Sequence, residues 1–197
     1  MNYNELIFIL RNAENAYDVC KYYAQLAELM PSISKMFLFD QRSKYHGYDL
    51  FTHCCATVAG LPSNLEDDMV YLAALIHDIG KVEAQVMLES GVAAYKGHPE
   101  HSCYDVSTII IPELKKAMIE LSDDQQDRLL FYIRHHDDDF RSLNFCLKPY
   151  RKLPKWQLRN WCLLEIADAK AHSLYPKIEK RINDVQIMLR IIDKGRY

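Results

Sequence analysis

Apolar positions recur at helical spacing along most of the chain, and they predict a series of helices rather than strands. Residues 31–48 read as a loop or short helices, and in the mixed segment 82–96 the sequence SGVAAY is a candidate strand or irregular excursion. Because no convincing sheet is indicated, we expect an all-α fold, a single-domain helical bundle over residues 1–197. The predicted helices cover about 13–30, 48–59, 65–78, 98–111, 123–138, 153–173 and 176–194.

The predicted helix over 65–78 is expected to be the central one. From Met69 to Ile76 it is apolar or aromatic nearly all round, which is typical of a helix in the middle of a bundle. The sequence SNLE at 63–66 has the spacing of a capping box, as does SDDQ at 122–125. We expect Gly80 to end the central helix, since glycine commonly follows a helix C-terminus.

Composition and charge exclude some classes of function. Hydrophobic residues make up 49% of the chain and charged residues 26%, and no apolar run approaches the roughly 20 residues of a membrane span, so no membrane partner is expected. The formal net charge of −3 excludes a polycation that binds nucleic acid through its overall charge. The six cysteines form no C-x-x-C pair and no secretory signal precedes them, so we expect a reduced, cytoplasmic protein.

Histidine and carboxylate side chains fall at helix ends, or on helices in hydrophobic settings, at five places. Taken singly, each has an ordinary explanation, because many helix histidines are surface or satisfied core residues and a last-turn histidine is stabilised by the helix dipole. Several such groups converging from different helices are instead typical of a metal site in a bundle. The five places are His53; His77 with Asp78; His98 with His101; His135 with His136; and Asp168.

The order of these residues, H…HD…H…H…D, resembles the HD superfamily of metal-dependent phosphohydrolases, and HDIGK at 77–81 matches its signature. The resemblance covers roughly 48–172, the expected motif core, with N- and C-terminal helices packed on it. It is greatest to the HD domain of some bacterial tRNA nucleotidyltransferases, although no transferase head is present. The GYP motif of cyclic-di-GMP phosphodiesterases is missing after HHDDDF, which disfavours that substrate. The matching stretches are FTH at 51–53, LAALIHDIGK at 72–81, GHPEHS at 97–102, FYIRHH at 131–136 and EIADAKA at 165–171.

The resemblance implies a role for each matching residue. In two-metal members, a second ion is held at the position of His98 and at that of His135 or His136, with Asp78 as the bridge between the ions. The family places one ligand where this sequence offers both His98 and His101, and the role of His101 stays open. The positions that hold the first ion match His53, His77, Asp78 and Asp168.

Such a centre makes a nucleophile from water for the hydrolysis of a phosphate ester. A divalent ion lowers the pKa of its bound water and stabilises negative charge on the phosphoryl oxygens. The imidazole-rich ligand set favours Mn, Fe, Co, Ni or Zn over Mg, as one ion or two. Asp78 is the expected catalytic carboxylate. Lys81 is either a catalytic residue that reaches a phosphate oxygen or leaving group, or a cation that stabilises a helix C-terminus.

A basic and aromatic segment at 141–161 is the predicted substrate-binding region. It contains no acidic residue and lies between two ligand-bearing helices, and aromatic residues interleave with the basic ones. Such a loop can hold a phosphate and stack on a base, and the alternative is a surface loop with its aromatic residues packed inward. The residues singled out are Lys148, Arg151, Lys152 and Trp156.

Two functions from different classes are compatible with these features. The first is an enzyme that hydrolyses a phosphomonoester or phosphodiester, with a small-molecule nucleotide as the expected substrate and RNA or DNA less favoured. The second is a non-catalytic helical module that retains a structural metal and binds a nucleotide or a protein partner. The intact ligand set favours the enzyme, because degenerate relatives in the superfamily usually lose ligands.

Overall fold

Helices account for nearly all the regular secondary structure in the computed structural model, which describes residues 1–43, 45–138, 150, 152–173 and 176–195. The predicted all-α class is therefore confirmed. The α-helices are α1 (Tyr3–Arg11), α2 (Ala16–Cys20), α3 (Tyr23–Leu29), α4 (Leu50–Ala59), α5 (Asp68–Ile76), α6 (Lys81–Ala84), α7 (His98–Asp105), α8 (Ile111–Lys116), α9 (Asp123–His135), α10 (Lys155–Ala171) and α11 (Pro176–Asp193).

The single helix predicted over 13–30 is wrong, because the chain forms two short helices there. Asn15 caps α2 through its side chain, and the backbone N–H of Tyr22 bonds to the carbonyl of Val19, three residues back. This tighter bond interrupts the four-residue ladder between α2 and α3. A short 3₁₀ helix, Pro31–Met36, follows α3.

The central position of α5 follows from its apolar surface. All eight residues from Met69 to Ile76 are buried, and the helix contacts α1, α4, α9 and α10. The predicted capping box at 63–66 is wrong, since Asp67 caps the helix instead by accepting a hydrogen bond from the Met69 N–H. The buried Asp67 carboxylate also accepts hydrogen bonds from Arg128 and Tyr132, so the same residue joins α5 to α9. The second predicted capping box, at 122–125, is confirmed.

Gly80 has a different role from the predicted one. Helix α5 ends at Ile76, and Gly80 has φ −73°, so it is not the left-handed glycine that ends many helices. A Cβ atom at this position would lie 2.3 Å from the backbone nitrogen of Ser102 and 2.6 Å from the carbonyl carbon of His101. The glycine is needed because the turn after α5 passes against the backbone of α7.

Helix α7 continues through a π-helical segment, Val106–Ile110, into α8. Pro112 lies in the first turn of α8 and has no N–H to donate, which accounts for a wider turn just before it. Near this junction, the hydroxyls of Ser107 and Thr108 both donate hydrogen bonds to the backbone carbonyl of Tyr104. The helix predicted from residue 98 therefore forms, with a change of hydrogen-bond pattern within it.

Two short strands and the C-terminal helix complete the surroundings of the site. Strands β1 (Val86–Met87) and β2 (Ala93–Ala94) pair antiparallel, so the candidate strand in SGVAAY forms over two residues. Helix α11 packs on α10 through Ile178, Val185, Met188 and Ile192, which are buried. Among the described helices, none combines the length and apolar character that a membrane span requires.

Candidate metal centre

Four side chains from three helical segments form a first ligand set. His53 projects from α4, His77 and Asp78 stand at the end of α5, and Asp168 projects from α10. All four are buried, because α5 lies in the middle of the bundle and its C-terminal end points between the other two helices. Nε2 of His53 lies 3.0 Å from Asp168 Oδ1 and 3.5 Å from Asp78 Oδ2. Nε2 of His77 lies 3.2 Å from Asp78 Oδ2 and 3.5 Å from Asp168 Oδ1.

A second set uses the other oxygen of Asp78. Asp78 Oδ1 lies 3.2 Å from Nε2 of His98, at the start of α7, and 3.3 Å from Nε2 of His136, just after α9. The two Nε2 atoms are 3.0 Å apart. The carboxylate of Asp78 therefore stands between two groups of donor atoms, one facing each of its oxygens.

Among the described residues, several donor atoms of the two sets lack hydrogen-bond partners. Nε2 of His53, Nε2 of His77 and Oδ1 of Asp168, all in the first set, are buried and make no hydrogen bond in the described structure. The same holds for Oδ1 of Asp78, which faces the second set. A buried polar atom without a partner costs free energy, so such a group calls for a ligand. Metal bonds of about 2.0–2.2 Å place neighbouring ligand atoms about 2.8–3.6 Å apart, which matches the distances in both sets. These buried groups could hold a metal ion.

Hydrogen bonds at Nδ1 of three of the histidine rings leave Nε2 of each ring free to bind a cation. Nδ1 of His77, His98 and His136 lies 3.0, 3.0 and 2.6 Å from the carbonyl oxygens of Ala74, Tyr95 and Ile133. A carbonyl accepts only a proton donor, so each Nδ1 carries the hydrogen and each Nε2 of a neutral ring has a lone pair. The lone pairs of His98 and His136 then face one another at 3.0 Å, an arrangement that a shared cation relieves.

The charges around the centre keep its carboxylates ionised. Burial alone would raise the pKa of Asp78, but the Lys81 ammonium and the adjacent imidazoles outweigh it and hold this pKa well below its usual range. For Asp168, His172 and the first-set imidazoles likewise outweigh burial and lower the pKa. Against the effect of burial, the Asp78 carboxylate raises the pKa of His77, so a cation binding there displaces a proton.

His135 and His101 do not join the centre. The ring of His135 lies against Phe131, Tyr150 and Trp161, and its Nδ1 is 2.9 Å from Asp138 Oδ2. Adjacent residues on a helix project about 100° apart, so only one of the HH pair can face the centre, and that residue is His136. His101 is exposed and contributes backbone to the contact with Gly80.

Several residues at the centre were not predicted. His172 follows directly after α10 and stands four residues after Asp168, a spacing that could have indicated it. His46 comes from a loop and packs 4.3 Å from the His172 ring, and burial lowers the pKa of His46 to about 2 and that of His172 to about 4. A cavity of about 260 Å³ opens here, lined by His46, Asp78, Lys81, Tyr95, His98, His136, Asp137, Asp168, His172 and Arg181.

Lys81 and Arg181 bring positive charge to this cavity. The buried ammonium of Lys81 lies 2.6 Å from Asp78 Oδ2 and 3.1 Å from the amide oxygen of Gln41. Arg181, from α11, places Nη2 2.6 Å from the buried Glu165 carboxylate and 3.3 Å from Asp168 Oδ2. The structure thus places the predicted residue Lys81 beside the ligands, and it adds a guanidinium from the C-terminal helix.

The predicted substrate-binding residues lie apart from the cavity or outside the described chain. Trp156 packs near Arg128 and lines a separate groove with Lys155 and Arg159. It precedes Asp168 by twelve positions on α10, or about 18 Å along the helix axis, so the structure does not bring it to the centre. Lys152 is exposed in the turn before α10. Two further predicted residues, Lys148 and Arg151, lie outside the described residues.

Comparison with family models, with curated proteins and with solved structures gives no match for this chain. The function must therefore be inferred from the two ligand sets and the cavity. That geometry indicates a metal-binding capacity directly, and a reaction only by further argument.

Proposed function

We propose that this chain is an HD-type phosphohydrolase that uses one or two divalent transition-metal ions to hydrolyse a phosphate ester. The observation that carries the proposal is the pair of buried ligand sets that share Asp78 and meet one cavity. Two cation positions joined by one carboxylate suit this reaction, because two-metal sites stabilise both the attacking and the leaving oxygen of an in-line displacement. The ligand order along the chain supports the same superfamily.

The donor atoms support a first-row transition metal. The first set combines two imidazoles with two carboxylates, and the second combines two imidazoles with one carboxylate oxygen. Imidazole suits Mn, Fe, Co, Ni or Zn, whereas Mg prefers oxygen ligands. We therefore propose one of these five metals as the cofactor.

The residues of the cavity wall suit a phosphate group. When bound, a divalent cation supplies Lewis acidity for the activation of water and for charge stabilisation on the phosphoryl group. Lys81 and Arg181 line the same cavity, and their positive charges attract the anionic ester toward the ligand sets. The fixed ammonium and guanidinium also stabilise charge on the phosphoryl oxygens without reorganising, which is the favoured form of electrostatic catalysis.

The open cavity argues against a purely structural metal. Structural zinc sites are closed by four protein ligands, whereas catalytic sites leave a position for water or substrate. Here the second set offers three protein donor atoms, and the cavity reaches both sets. This arrangement favours the enzyme over the non-catalytic module, and a small-molecule phosphomonoester or phosphodiester, in particular a nucleotide, is the proposed substrate.

Replacement of the shared carboxylate tests the proposal. Mn-loaded protein is assayed on p-nitrophenyl phosphate, on bis-p-nitrophenyl phosphate and on nucleoside 5′-monophosphates, with metal content measured by elemental analysis. We expect hydrolysis by the native chain and a loss of at least about a hundredfold in Asp78→Asn, the low end for removing a main electrostatic element. Bound metal should fall as well, because both ligand sets lose charge.

Asp127→Asn is the matched control, because Asp127 is an exposed carboxylate on α9. It should keep both metal and activity. Far-UV circular dichroism should be unchanged in both variants, since Met69–Ile76 hold α5 in place. A native protein that binds metal but hydrolyses none of these esters would support the non-catalytic module, and an active, metal-loaded Asp78→Asn protein would refute the site.

A further inference from the structure

The metal cavity continues into a larger groove on the surface. A groove of about 860 Å³ shares Tyr95, His98 and Asp137 with the metal cavity. We call it the outer groove; it is formed by residues 95–101, Tyr104 and Asp137. A molecule whose phosphate lies beside His98 therefore has adjoining space for the group that the phosphate carries.

Among the aromatic side chains of the outer groove, Tyr104 lies farthest along α7 from the candidate ligand His98. It is 66% exposed, and no aromatic ring among the described residues stacks on it. Six positions separate it from His98, which amounts to about 9 Å along the helix axis. A bare phosphate or a short alcohol at His98 does not span this distance, whereas a nucleoside attached to the phosphate does.

We infer that the outer groove binds the nucleoside part of a nucleotide substrate, with the base stacked on Tyr104. The inference rests on the proposed function, because it takes the phosphate to lie at the ligand sets. Tyr104 offers a flat apolar face with a polar edge, the surface on which bases commonly stack. Lys96 and His101 are exposed at the same groove and provide hydrogen-bond donors beside the base or the ribose.

The substrate that fits the outer groove is a nucleoside 5′-monophosphate or an ester of one, not a sugar phosphate. A sugar phosphate has no planar group to stack on the exposed ring. Stacking tolerates all bases because each has a π face, so the groove selects for the presence of a base more than for its identity. Specificity between bases would depend on the hydrogen bonds to Lys96 and His101.

The experiment compares substrates with and without a base. KM and kcat are measured for the adenosine, guanosine, cytidine and uridine 5′-monophosphates and for ribose 5-phosphate. Tyr104→Ala should raise KM for the nucleotides about tenfold, the effect of losing one base-stacking contact, with kcat little changed. KM for ribose 5-phosphate should stay at the native value. Tyr104→Phe, which keeps the ring, should retain most of the nucleotide affinity.

A control variant and a binding measurement separate the possible failures. Phe8→Ala removes another exposed aromatic side chain, on α1 and away from the outer groove, and should change neither substrate's kinetics. Calorimetric titration with adenosine 5′-monophosphate measures binding whether or not turnover occurs. Tyr104-dependent binding without hydrolysis supports the groove and contradicts the proposed function. Hydrolysis that Tyr104→Ala leaves unchanged, an equal effect on ribose 5-phosphate, or no binding of the nucleotide overturns the groove.

Discussion

Asp78 and Gly80, two residues apart, set the spacing between the two ligand sets. The two oxygens of Asp78 face different imidazole pairs, so its carboxylate joins the sets chemically. Gly80 connects the sets through backbone packing. Its N–H donates to the Ser102 hydroxyl, and its Cα packs on the backbone of α7, the helix that carries His98. The distance from Asp78 to His98 thus depends on a position that has no side chain.

A methyl group at position 80 should separate the sets. Gly80→Ala places a Cβ 2.3 Å from the nitrogen of Ser102, so α7 must shift outward, at a cost of about 1–3 kcal/mol in stability. We expect metal affinity at the second set to fall by at least about tenfold, as it does when an orienting contact is lost, while the first set keeps its ion. Stepwise metal titration by calorimetry measures the two affinities.

Gly47→Ala is the comparison variant for this titration. A Cβ at position 47 would lie 3.5 Å from the Ser173 hydroxyl oxygen, an ordinary van der Waals contact, so both affinities should be unchanged. Equal weakening of both sets by Gly80→Ala, or weakening of neither, would show that the contact with α7 does not position His98.

For single residues, the structure shows which features local sequence patterns can predict and which they cannot. The ligand types and their order could be read from the sequence, because histidines and carboxylates at helix ends are visible along the chain. The choice between His135 and His136 could not, since it depends on which direction faces α5 once α9 has packed. The true cap, Asp67, was missed for a similar reason, because its carboxylate is fixed by Arg128 and Tyr132 from another helix.

At the scale of elements, the C-terminal helix α11 belongs to the centre although it carries none of the predicted ligands. Arg181 projects from it to the Glu165 carboxylate, to Asp168 Oδ2 and to the carbonyl oxygen of His136. The same guanidinium thus contacts residues next to or within both ligand sets. Fixing Oδ2 of Asp168 leaves Oδ1 directed at the imidazoles of His53 and His77.

Removal of this guanidinium should weaken the first set. Arg181→Met should lower metal affinity by about 10- to 100-fold, the usual effect of losing a group that orients a ligand. Burial raises the pKa of Glu165 well above its usual range, and this side chain would lose its partner. The double variant Arg181→Met with Glu165→Gln avoids an unpaired buried acid, so it tests orientation separately from folding. Metal titration provides the measurement.

Lys180 supplies the control on the same helix. It is exposed and pairs with Asp184, so Lys180→Met should leave metal affinity at the native value. If the double variant folds and binds metal as tightly as the native chain, Arg181 does not orient Asp168. Neither the contribution of Arg181 nor that of His46 could be predicted, because each depends on how a distant segment packs against α10 or α4, and no local spacing encodes that packing.

For the whole molecule, we expect the buried donor atoms to make stability depend on the proposed cation. Four donor atoms of the two sets are buried without hydrogen-bond partners in the described structure: Nε2 of His53 and His77, and Oδ1 of Asp78 and Asp168. A cation that binds the folded chain at a hundred times its dissociation constant stabilises it by about 2.7 kcal/mol. For a chain of this length, that corresponds to a rise of about 5–10 °C in Tm.

Thermal unfolding followed with and without Mn²⁺ measures this effect. Protein stripped with EDTA should unfold at the lower temperature, and added Mn²⁺ should restore the higher one. Asp78→Asn should show little response to Mn²⁺, because it lacks the shared carboxylate. An unchanged Tm in the native chain over a wide range of Mn²⁺ concentration would contradict a resident cation.

The first ligand set joins residues that lie far apart along the chain, and this separation bears on when a cation could bind during synthesis. His53 and Asp168 are more than a hundred positions apart, and Arg181 follows later still. During synthesis, a ribosome-bound chain that has reached α9 already contains His53, His77 and Asp78 but not the carboxylate that completes their set. Under the proposed function, we therefore expect metal loading to be a late step in biogenesis, because a chain interrupted before α10 lacks one carboxylate of the first set.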